Sequence, residues 1–292
     1  MKELVLLSGK GGTGKTSITA ALTMLAPKPV VADCDVDAPN LHLLLNPEIQ
    51  HSDEFITSKQ AIITPELCFE CGACQLACRF GAVTPEFTIE PILCEGCGVC
   101  QMSCPYNAIQ MQDRLSGYIY SSTTAYGPMA HAQLLAGESN SGKLVTKVRE
   151  LARNIAEASG NIFILVDGPP GIACSAIAAV TGASMGLIVA EPTVPAIHDL
   201  HRVVLLLNHF QIPVMVLINK YDLNLQKTNE IEGFCQEHDI PVVGQIPYDS
   251  IMYEAVSAGH PIIEYAPTHS VSASLAKVWK RVEHYLMELT IE

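Results

Sequence analysis

Eight of the eleven cysteines in the 292-residue sequence stand in two runs with the same internal spacing. The runs are Cys68-x2-Cys71-x2-Cys74-x3-Cys78 and Cys94-x2-Cys97-x2-Cys100-x3-Cys104. Three thiolates on one short loop can hold three corners of an iron-sulfur cube, while the fourth points away toward the other run. Zinc is the alternative, but structural zinc sites pair two separated C-x2-C knuckles around one ion and leave the triple runs unexplained. The spacing therefore favours iron-sulfur clusters.

The two runs are copies within a duplicated segment, because Pro65-Glu66-Leu67-Cys68 and Pro91-Ile92-Leu93-Cys94 begin them 26 residues apart. Their spacing is similar to that of bacterial ferredoxins with two [4Fe-4S] clusters. By that resemblance, Cys68, Cys71, Cys74 and Cys104 hold one cluster, and Cys94, Cys97, Cys100 and Cys78 hold the second. Arg79 stands where the second copy has Pro105. We expect this departure to alter the surroundings of the second cluster without preventing its assembly.

A second chemical motif lies near the amino end of the chain. Gly9-Lys10-Gly11-Gly12-Thr13-Gly14-Lys15-Thr16 fits the pattern G-x-x-x-x-G-K-S/T and follows the apolar run Leu4 to Leu7. Backbone N–H groups between Gly9 and Ser17 would surround the phosphates of a nucleoside triphosphate. Lys15 would neutralise the β- and γ-oxygens, and the Thr16 hydroxyl would bind Mg²⁺. The motif predicts a phosphate-binding loop between a strand and a helix.

The lysine at the second position of this loop gives a more specific indication. Lys10-Gly11-Gly12-Thr13-Gly14-Lys15-Thr16 resembles the deviant Walker A motif of a family that includes the MinD and ParA ATPases, the Mrp-type cluster carriers and the nitrogenase iron protein. In that family the early lysine reaches across a nucleotide-bound dimer to the phosphates of the partner. The resemblance implies a catalytic role for Lys10 and Lys15. It also implies a nucleotide-dependent homodimer, or a heterodimer with a similar ATPase.

Two acidic segments match the same family in the expected order, each after an apolar run. Asp33-Cys34-Asp35-Val36-Asp37-Ala38-Pro39-Asn40 resembles its first switch, and Asp167-Gly168-Pro169-Pro170-Gly171 resembles its Walker B and second switch segment. Carboxylates at the carboxyl ends of parallel strands face the ligand crevice. The resemblance implies that Asp35 orients the attacking water, that Asp33 supports the Mg²⁺ shell and that Asp167 binds Mg²⁺ through water. For Asp33 and Asp35 the alternative is capping of the next helix. For the segment that begins at Asp167 the alternative is a plain Pro-Gly turn.

The segment Asn219-Lys220-Tyr221-Asp222 stands where the family reads the base. Taken literally, N-K-x-D is the guanine-reading pattern of GTPases, in which the aspartate accepts from the ring. The deviant Walker A family instead uses the asparagine for adenine. Ile246-Pro247-Tyr248-Asp249 and the stretch 258–261 resemble the segments that close its adenine pocket. The resemblance therefore implies ATP, with Asn219, Asp222 and Pro247 near the base, and GTP is the alternative.

Three cysteines lie outside the runs, namely Cys34, Cys174 and Cys235. The ordinary expectation for each is a small buried apolar residue. Cys174 follows Asp167 by seven residues, and a cysteine at this spacing in the nitrogenase iron protein ligates a cluster that bridges the dimer. The resemblance implies a ligand or redox role for Cys174, although no second cysteine for such a site is identifiable.

The elements that must position these residues alternate between strand and helix. Apolar runs typical of buried strands recur at residues 4–7, 30–32, 162–166, 187–190, 214–218 and 242–243. The clearest helical pattern covers Ser141 to Ser159, with Gly160 as a stop signal. We predict an α/β fold with a doubly wound, mostly parallel sheet and an inserted small α+β ferredoxin-like domain. The predicted ATPase domain comprises residues 1–57 and 113–292, and the predicted insertion comprises residues 58–112.

Composition limits the partners of the protein. Thirty acidic and 17 basic side chains give a formal net charge of −13, which repels nucleic acid. Many cysteines without an export signal indicate a reducing compartment, so we expect a cytoplasmic location. No apolar run approaches the roughly 20 residues of a membrane span. The C-terminal pattern from Ser272 to Leu289 is amphipathic, but its acidic end favours packing on the sheet over stable membrane association.

Together these patterns predict a Mg²⁺-dependent ATPase that carries two [4Fe-4S] clusters. Because the insertion follows the first switch, movement of the switch would be felt by the cluster module. The leading hypothesis couples nucleotide-dependent dimerisation to electron transfer, or to cluster or metallocofactor delivery, to a redox or cluster-acceptor protein. The alternatives are a positioning or scaffold ATPase with structural clusters, and a nucleotide-regulated soluble electron carrier.

Overall fold

The computed structural model describes residues 1–138 and 140–289. Its strands are β1 (Lys2–Ser8), β2 (Val30–Asp33), β3 (Glu48–Ile63), β4 (Ile109–Thr124), β5 (Gly127–Leu134), β6 (Phe163–Pro170), β7 (Met185–Ala190), β8 (Val214–Asn219) and β9 (Val242–Ile246). Among the described residues these nine strands form one sheet in the order β3-β4-β5-β2-β6-β1-β7-β8-β9. Every neighbouring pair from β5 through β9 in this order is parallel. The predicted mostly parallel α/β sheet is confirmed.

Helices connect most of the strands. They are α1 (Lys15–Leu25), α2 (His42–Leu45), α3 (Ala73–Ala77), α4 (Val99–Ser103), α5 (Ser141–Ser159), α6 (Cys174–Val180), α7 (Ala196–His209), α8 (Leu225–Glu237), α9 (Ser250–Ser257), α10 (Ile262–Tyr265) and α11 (Ser270–Glu288). The predicted helix between Ser141 and Ser159 is α5. The predicted C-terminal helix is α11, which begins at Ser270.

The sheet is covered on both faces. Leu4 and Leu6 of β1 share a buried cluster with residues of α1 and α11. Side chains alternate between the faces of a strand, so Val5 points the other way. Val5 pairs with Gly186 of β7, where an added Cβ would lie 2.6 Å from the Leu207 side chain of α7. The close approach of α7 at Gly186 therefore marks the second helical layer, as a doubly wound fold requires.

The last helix, α11, packs its apolar face into the core. Leu275, Val278, Val282 and Leu286 are buried, whereas Tyr285 is exposed. This burial confirms the interpretation of the helix as part of the sheet packing. Within the described chain, none of the helices combines the length and the apolar character that crossing a membrane would need.

The chain divides into two compact units. The first comprises Met1–Ser52, Ile119–Gln133 and the chain from Ser141 onward, and it contains the parallel sheet. The second comprises Asp53–Tyr118 and Leu134–Asn140, so it includes more residues than the predicted insertion of residues 58–112. The difference arises because β3 and β4 are each 16 residues long and run from one unit into the other. The ferredoxin-like character of the second unit stays a prediction.

The sequence duplication is repeated in the backbone of the second unit. Positive φ angles recur 26 residues apart, at Glu70 and Gly96, at Gly72 and Gly98, and at Gly81 and Asn107. Gly72 and Gly98 precede the five-residue helices α3 and α4. At Gly96 a Cβ would come within 2.1 Å of the Lys59 carbonyl oxygen, so only glycine fits there. Both copies therefore present their cysteines on loops of the same conformation.

Candidate functional site

The phosphate-binding motif forms a tight loop in the first unit. It connects Ser8 at the end of β1 to Lys15 at the start of α1, and no side chain caps that helix. Gly14 has φ 90°, and a Cβ there would lie 2.4 Å from Asn219 Nδ2. A helix start whose N–H groups lack a side-chain cap is a ready site for an anion. The local geometry thus suits a phosphate group at the amino end of α1.

Asp167 lies beneath this loop and binds it through both carboxylate oxygens. Lys15 Nζ donates to Oδ1 at 2.7 Å, and Thr16 Oγ1 donates to Oδ2 at 2.7 Å. The Thr19 hydroxyl donates to Oδ1 at 2.9 Å, a contact that sequence reasoning missed. Thr19 follows Lys15 by one helical turn and therefore lies on the same face of α1. The groups expected to bind phosphate and Mg²⁺ are thus gathered around one carboxylate.

Asp33 lies next to Asp167 across the parallel pair β2 and β6. It is 1% exposed, and it accepts from the backbone N–H groups of Asp35 at 3.2 Å and Leu41 at 3.3 Å. Burial, followed by the nearby Asp167 carboxylate, raises the pKa of Asp33 to about 8. Burial also raises the pKa of the half-buried Asp35. No side chain caps the start of α2, so the helix-capping alternative for these acids is not realised.

A cleft of about 740 Å³ opens above the loop. Its walls come from the phosphate loop, the first switch and the second switch, namely Gly11, Gly12, Thr13, Gly14, Lys15, Thr16, Ser17, Asp35, Asp37, Asn40, Pro169 and Pro170. Pockets of roughly 300–1,000 Å³ accommodate small-molecule ligands and cofactors. The cleft therefore brings most of the predicted nucleotide-binding residues to one place, with the Asp35 carboxylate on its wall.

The predicted base-reading residues are tied to neighbouring backbone. Asn219 Nδ2 donates to the Thr13 carbonyl oxygen at 2.7 Å. Asp222 Oδ1 accepts from the Tyr248 N–H at 2.7 Å, and Pro247 immediately follows β9. The Tyr248 amide thus engages one oxygen of the Asp222 carboxylate.

Lys10 belongs to the phosphate loop, and Lys220 contacts the loop from outside it. Lys10 Nζ donates to Thr193 Oγ1 at 3.1 Å, within the same chain. Lys220 Nζ donates to the Gly12 carbonyl oxygen at 3.0 Å and lies 3.4 Å from Glu191 Oε2. Glu191 and Thr193 lie on the loop after β7, and no motif in the sequence marks them.

In the second unit the eight run cysteines line two cavities. Cys68, Cys71, Cys74 and Cys104 line the first. Cys78, Cys94, Cys97 and Cys100 line the second. Each cavity takes three cysteines from one run and one from the other, in the same two sets that the ferredoxin resemblance implies. The remaining walls are largely apolar, with Ile63, Phe87 and Ile109 at the first cavity and Ala61, Val83 and Met111 at the second.

The fourth cysteine of each run receives a backbone hydrogen bond. The Ala82 N–H donates to Cys78 Sγ and the Ala108 N–H donates to Cys104 Sγ, each at 3.4 Å. Burial raises the pKa of the Cys74 and Cys100 thiols. Donors aimed at sulfur stabilise the thiolate, which is the form that binds metal.

The eight run cysteines supply the thiols that could bind metal in the second unit. Over residues 1–138 and 140–289, no group of three or more His, Cys, Asp or Glu side chains is arranged to hold a metal ion. A cube takes one thiolate at each of its four irons, so its sulfurs surround a hollow instead of meeting at one point. The donor set of four thiols around each apolar cavity fits such a cube.

The three remaining cysteines differ in exposure. Cys34 and Cys235 are buried, as expected for small apolar residues, and burial raises the pKa of both, that of Cys235 to about 12. Cys174 is exposed at the start of α6. Its ligand or redox role stays a prediction.

The sheet, the phosphate loop and the Lys15–Asp167 pair define a P-loop nucleotide-binding protein. The family model for the CobQ/CobB/MinD/ParA nucleotide binding domain matches residues 4–262. The chain belongs to this CobQ/CobB/MinD/ParA family of P-loop ATPases. An uncharacterized protein of Methanocaldococcus jannaschii is 36% identical over 248 residues, which cover 84% of this chain and 86% of that protein.

Two solved structures share the fold. The cell division ATPase MinD of Pyrococcus furiosus matches with a TM-score of 0.61 and 18% identity over 97% of this chain and 99% of its own. The septum site-determining protein MinD of Pyrococcus horikoshii, complexed with Mg-ADP, matches with a TM-score of 0.60 and 19% identity over 99% of each chain. The fold class inferred from the sequence is thereby confirmed for the ATPase part.

Proposed function

We propose that this chain is an ATPase in which nucleotide-dependent dimerisation is coupled to electron transfer between two [4Fe-4S] clusters and a partner protein. The observation that carries the proposal is the pair of cavities, each lined by four cysteines drawn from both runs. They occur in one chain with a phosphate loop whose lysine contacts a buried aspartate.

The residues that would hold the clusters are the eight run cysteines. When bound, the clusters supply one-electron redox chemistry whose potential depends on hydrogen bonds to sulfur and on solvent exposure. In this chain the Ala82 and Ala108 N–H groups donate to the Cys78 and Cys104 sulfurs. Cys71 and Cys97 are exposed, so each cavity has a cysteine at the protein surface where electrons can enter or leave.

Electron transfer is favoured over cluster delivery by the completeness of the donor sets. A protein that releases a cluster must give up its ligands, whereas four thiols from two separate runs surround each cavity. Cys74 and Cys100 are buried within the core of the unit, which opposes release. Delivery of a cluster or metallocofactor is therefore the less favoured form of the proposal.

On the nucleotide side, the groups around Asp167 are those that ATP and Mg²⁺ require. Lys15 would turn from Asp167 to the phosphates, while Thr16, Asp167 and Asp33 would hold Mg²⁺. Asp35 lies on the cleft wall, where its carboxylate can orient water. Lys10 would reach the phosphates bound by a second subunit, which makes the homodimer, or a heterodimer with a similar ATPase, part of the proposal.

ATP is favoured over GTP by two contacts. The Asp222 carboxylate accepts from the Tyr248 N–H, so one of its two oxygens is already engaged in holding the chain segment after β9. The amide nitrogen of Asn219 is engaged with Thr13, which leaves its oxygen as the acceptor that the adenine amino group needs.

The proposal is tested with anaerobically purified protein. We expect about eight irons per chain, and ATP hydrolysis rates that differ between the reduced and the oxidised protein. A variant with Cys68, Cys71, Cys94 and Cys97 replaced by serine lacks two ligands at each cavity and serves as the control, and it should bind ATP but lose the redox dependence. Equal rates in both redox states would contradict the coupling. Partner binding that survives loss of both clusters would favour the scaffold alternative.

A further inference from the structure

Both the backbone and the side chain of Lys10 are hydrogen-bonded within their own subunit. Its carbonyl oxygen accepts from the Ser8 hydroxyl at 2.8 Å, and its Nζ donates to the Thr193 hydroxyl at 3.1 Å. The residue is partly buried. Lys10 therefore lies along its own chain, on the loop that follows β7, and not toward a second molecule.

The loop that holds Lys10 is itself ordered by hydrogen bonds. The Thr193 N–H donates to the Glu191 carbonyl oxygen at 2.8 Å, and the Ala196 N–H donates to the Thr193 carbonyl oxygen at 2.9 Å. The Glu191 carboxylate pairs with Lys220, which also binds the Gly12 carbonyl oxygen of the phosphate loop. The position of the Thr193 hydroxyl is thus fixed relative to the phosphate loop.

One exposed apolar side chain lies next to Thr193. Val194 is 84% exposed at the tip of the same loop. An apolar side chain this exposed, next to the lysine expected to act on a partner, would gain from burial when two subunits meet. The loop thus combines a polar contact made by the single chain with an apolar surface that a second chain would cover.

We propose that Thr193 is a positioning residue. Its hydroxyl holds the Lys10 side chain against its own subunit until that side chain contacts the phosphates of a nucleotide-bound second copy of this chain. The inference rests on the proposed role of Lys10 across the dimer. On dimerisation the Lys10 ammonium group would leave the Thr193 hydroxyl for the phosphates of the other subunit. The Thr193 contact stabilises the single chain and opposes dimerisation.

Removal of the hydroxyl should therefore favour the dimer. Each subunit loses one hydrogen bond of the unassociated state, and two subunits enter each dimer. Hydrogen bonds of this kind contribute modestly, so the dissociation constant of the dimer should fall roughly 5- to 30-fold in Thr193→Val. The Michaelis constant for ATP at saturating protein concentration should stay the same, because Thr193 does not line the cleft.

The test is sedimentation equilibrium of the anaerobically purified full chain with Mg²⁺ and a non-hydrolysable ATP analogue. Thr193→Val should dimerise at lower concentration than the unaltered protein, and Thr193→Ser, which keeps the hydroxyl, should restore the original value. Thr146→Val is the matched control, since Thr146 Oγ1 donates to Gly142 O on the exposed surface of α5. This control should dimerise like the unaltered protein.

The possible results separate the two proposals. If the unaltered chain dimerises with the analogue but Thr193→Val does so equally or more weakly, Thr193 does not retain Lys10, although the proposed function stands. If Thr193→Ser behaves like Thr193→Val, the hydroxyl is not the cause and the inference fails. If the unaltered chain stays monomeric at every concentration, both the dimer mechanism and this inference are overturned. Thr193→Ala provides a second variant should the valine disturb folding, with the same expected direction.

Discussion

Lys15 Nζ lies 2.7 Å from Asp167 Oδ1, and the two side chains are 7% and 1% exposed. The cation that the motif assigns to phosphate and the carboxylate that the family resemblance assigns to Mg²⁺ thus form a buried ion pair. Buried charges are stable only when they are paired and hydrogen-bonded. Each group therefore compensates the buried charge of the other, and removal of either one would leave an uncompensated charge.

Replacement of Lys15 by methionine tests this pairing. Lys15→Met leaves the Asp167 carboxylate buried without its cation, so we expect a loss of about 3 kcal/mol or more in the free energy of unfolding. ATP binding and hydrolysis should be lost as well. Urea unfolding and nucleotide titration measure the two effects. Lys147→Met is the control, because the exposed Lys147–Glu150 pair should contribute less than about 1 kcal/mol.

The raised pKa of Asp33 predicts a pH dependence of stability. The pKa of Asp33 in the folded chain is about 8, well above the ordinary value. Between about pH 4 and pH 8 the side chain is therefore neutral in the folded chain and charged in the unfolded chain. Its contribution is complete below about pH 4, the unfolded pKa. The contribution is lost as the pH rises through about 8. The unfolding free energy of the nucleotide-free protein should therefore fall less steeply from pH 5 to pH 8.5 in Asp33→Asn. Identical slopes in both proteins would show that Asp33 is charged in the fold.

The shared ligand sets predict the effect of single cysteine changes. Cys104→Ser should empty the first cavity although Cys104 belongs to the second run, and the iron content should fall from about eight toward about four per chain. Cys78→Ser should do the same for the second cavity. Iron analysis and electron paramagnetic resonance of the reduced variants measure the loss. Cys174→Ser should keep its full iron content, and a loss of iron there would instead assign Cys174 as a ligand.

The contacts of Asp222 predict how it affects base selection. Asp222→Asn keeps an acceptor for the Tyr248 N–H, so the preference for ATP over GTP should change by less than about twofold. Competition binding with the two nucleotides provides the measurement. A strong change in the ratio would mean that the carboxylate reads the base, and the chain would then be better described as a GTPase.

The parallel part of the sheet could be predicted from the sequence because its strands are buried on both faces. β1, for example, is buried from Glu3 through Ser8. The exception is β5, which pairs in parallel with β2 but has no such apolar run in the sequence, and β3 and β4 have none either. Residues 48–54 of β3 are all exposed, so neither an apolar run nor an alternation marks them. The extent of the second unit was missed for the same reason.

The motifs placed the site more accurately than they explained it. Glycine, lysine and threonine at fixed spacing identify the phosphate loop, and cysteine spacing gives the two ligand sets, because these patterns are local. The contacts of Thr19 with Asp167 and of Thr193 with Lys10 join residues about 150 and 180 positions apart. Such contacts follow from how the strands are ordered in the sheet, which no single stretch of sequence states.

The most direct measurement for the coupling of nucleotide to clusters is an anaerobic redox titration, followed by electron paramagnetic resonance, with ADP and with a non-hydrolysable ATP analogue. The coupling requires that the midpoint potentials of the reduced clusters differ between the two nucleotides, and that no difference occurs in Lys15→Met, which keeps all eight run cysteines. Clusters with the same potential in every nucleotide state, or a chain that binds ATP but holds no iron, would contradict it.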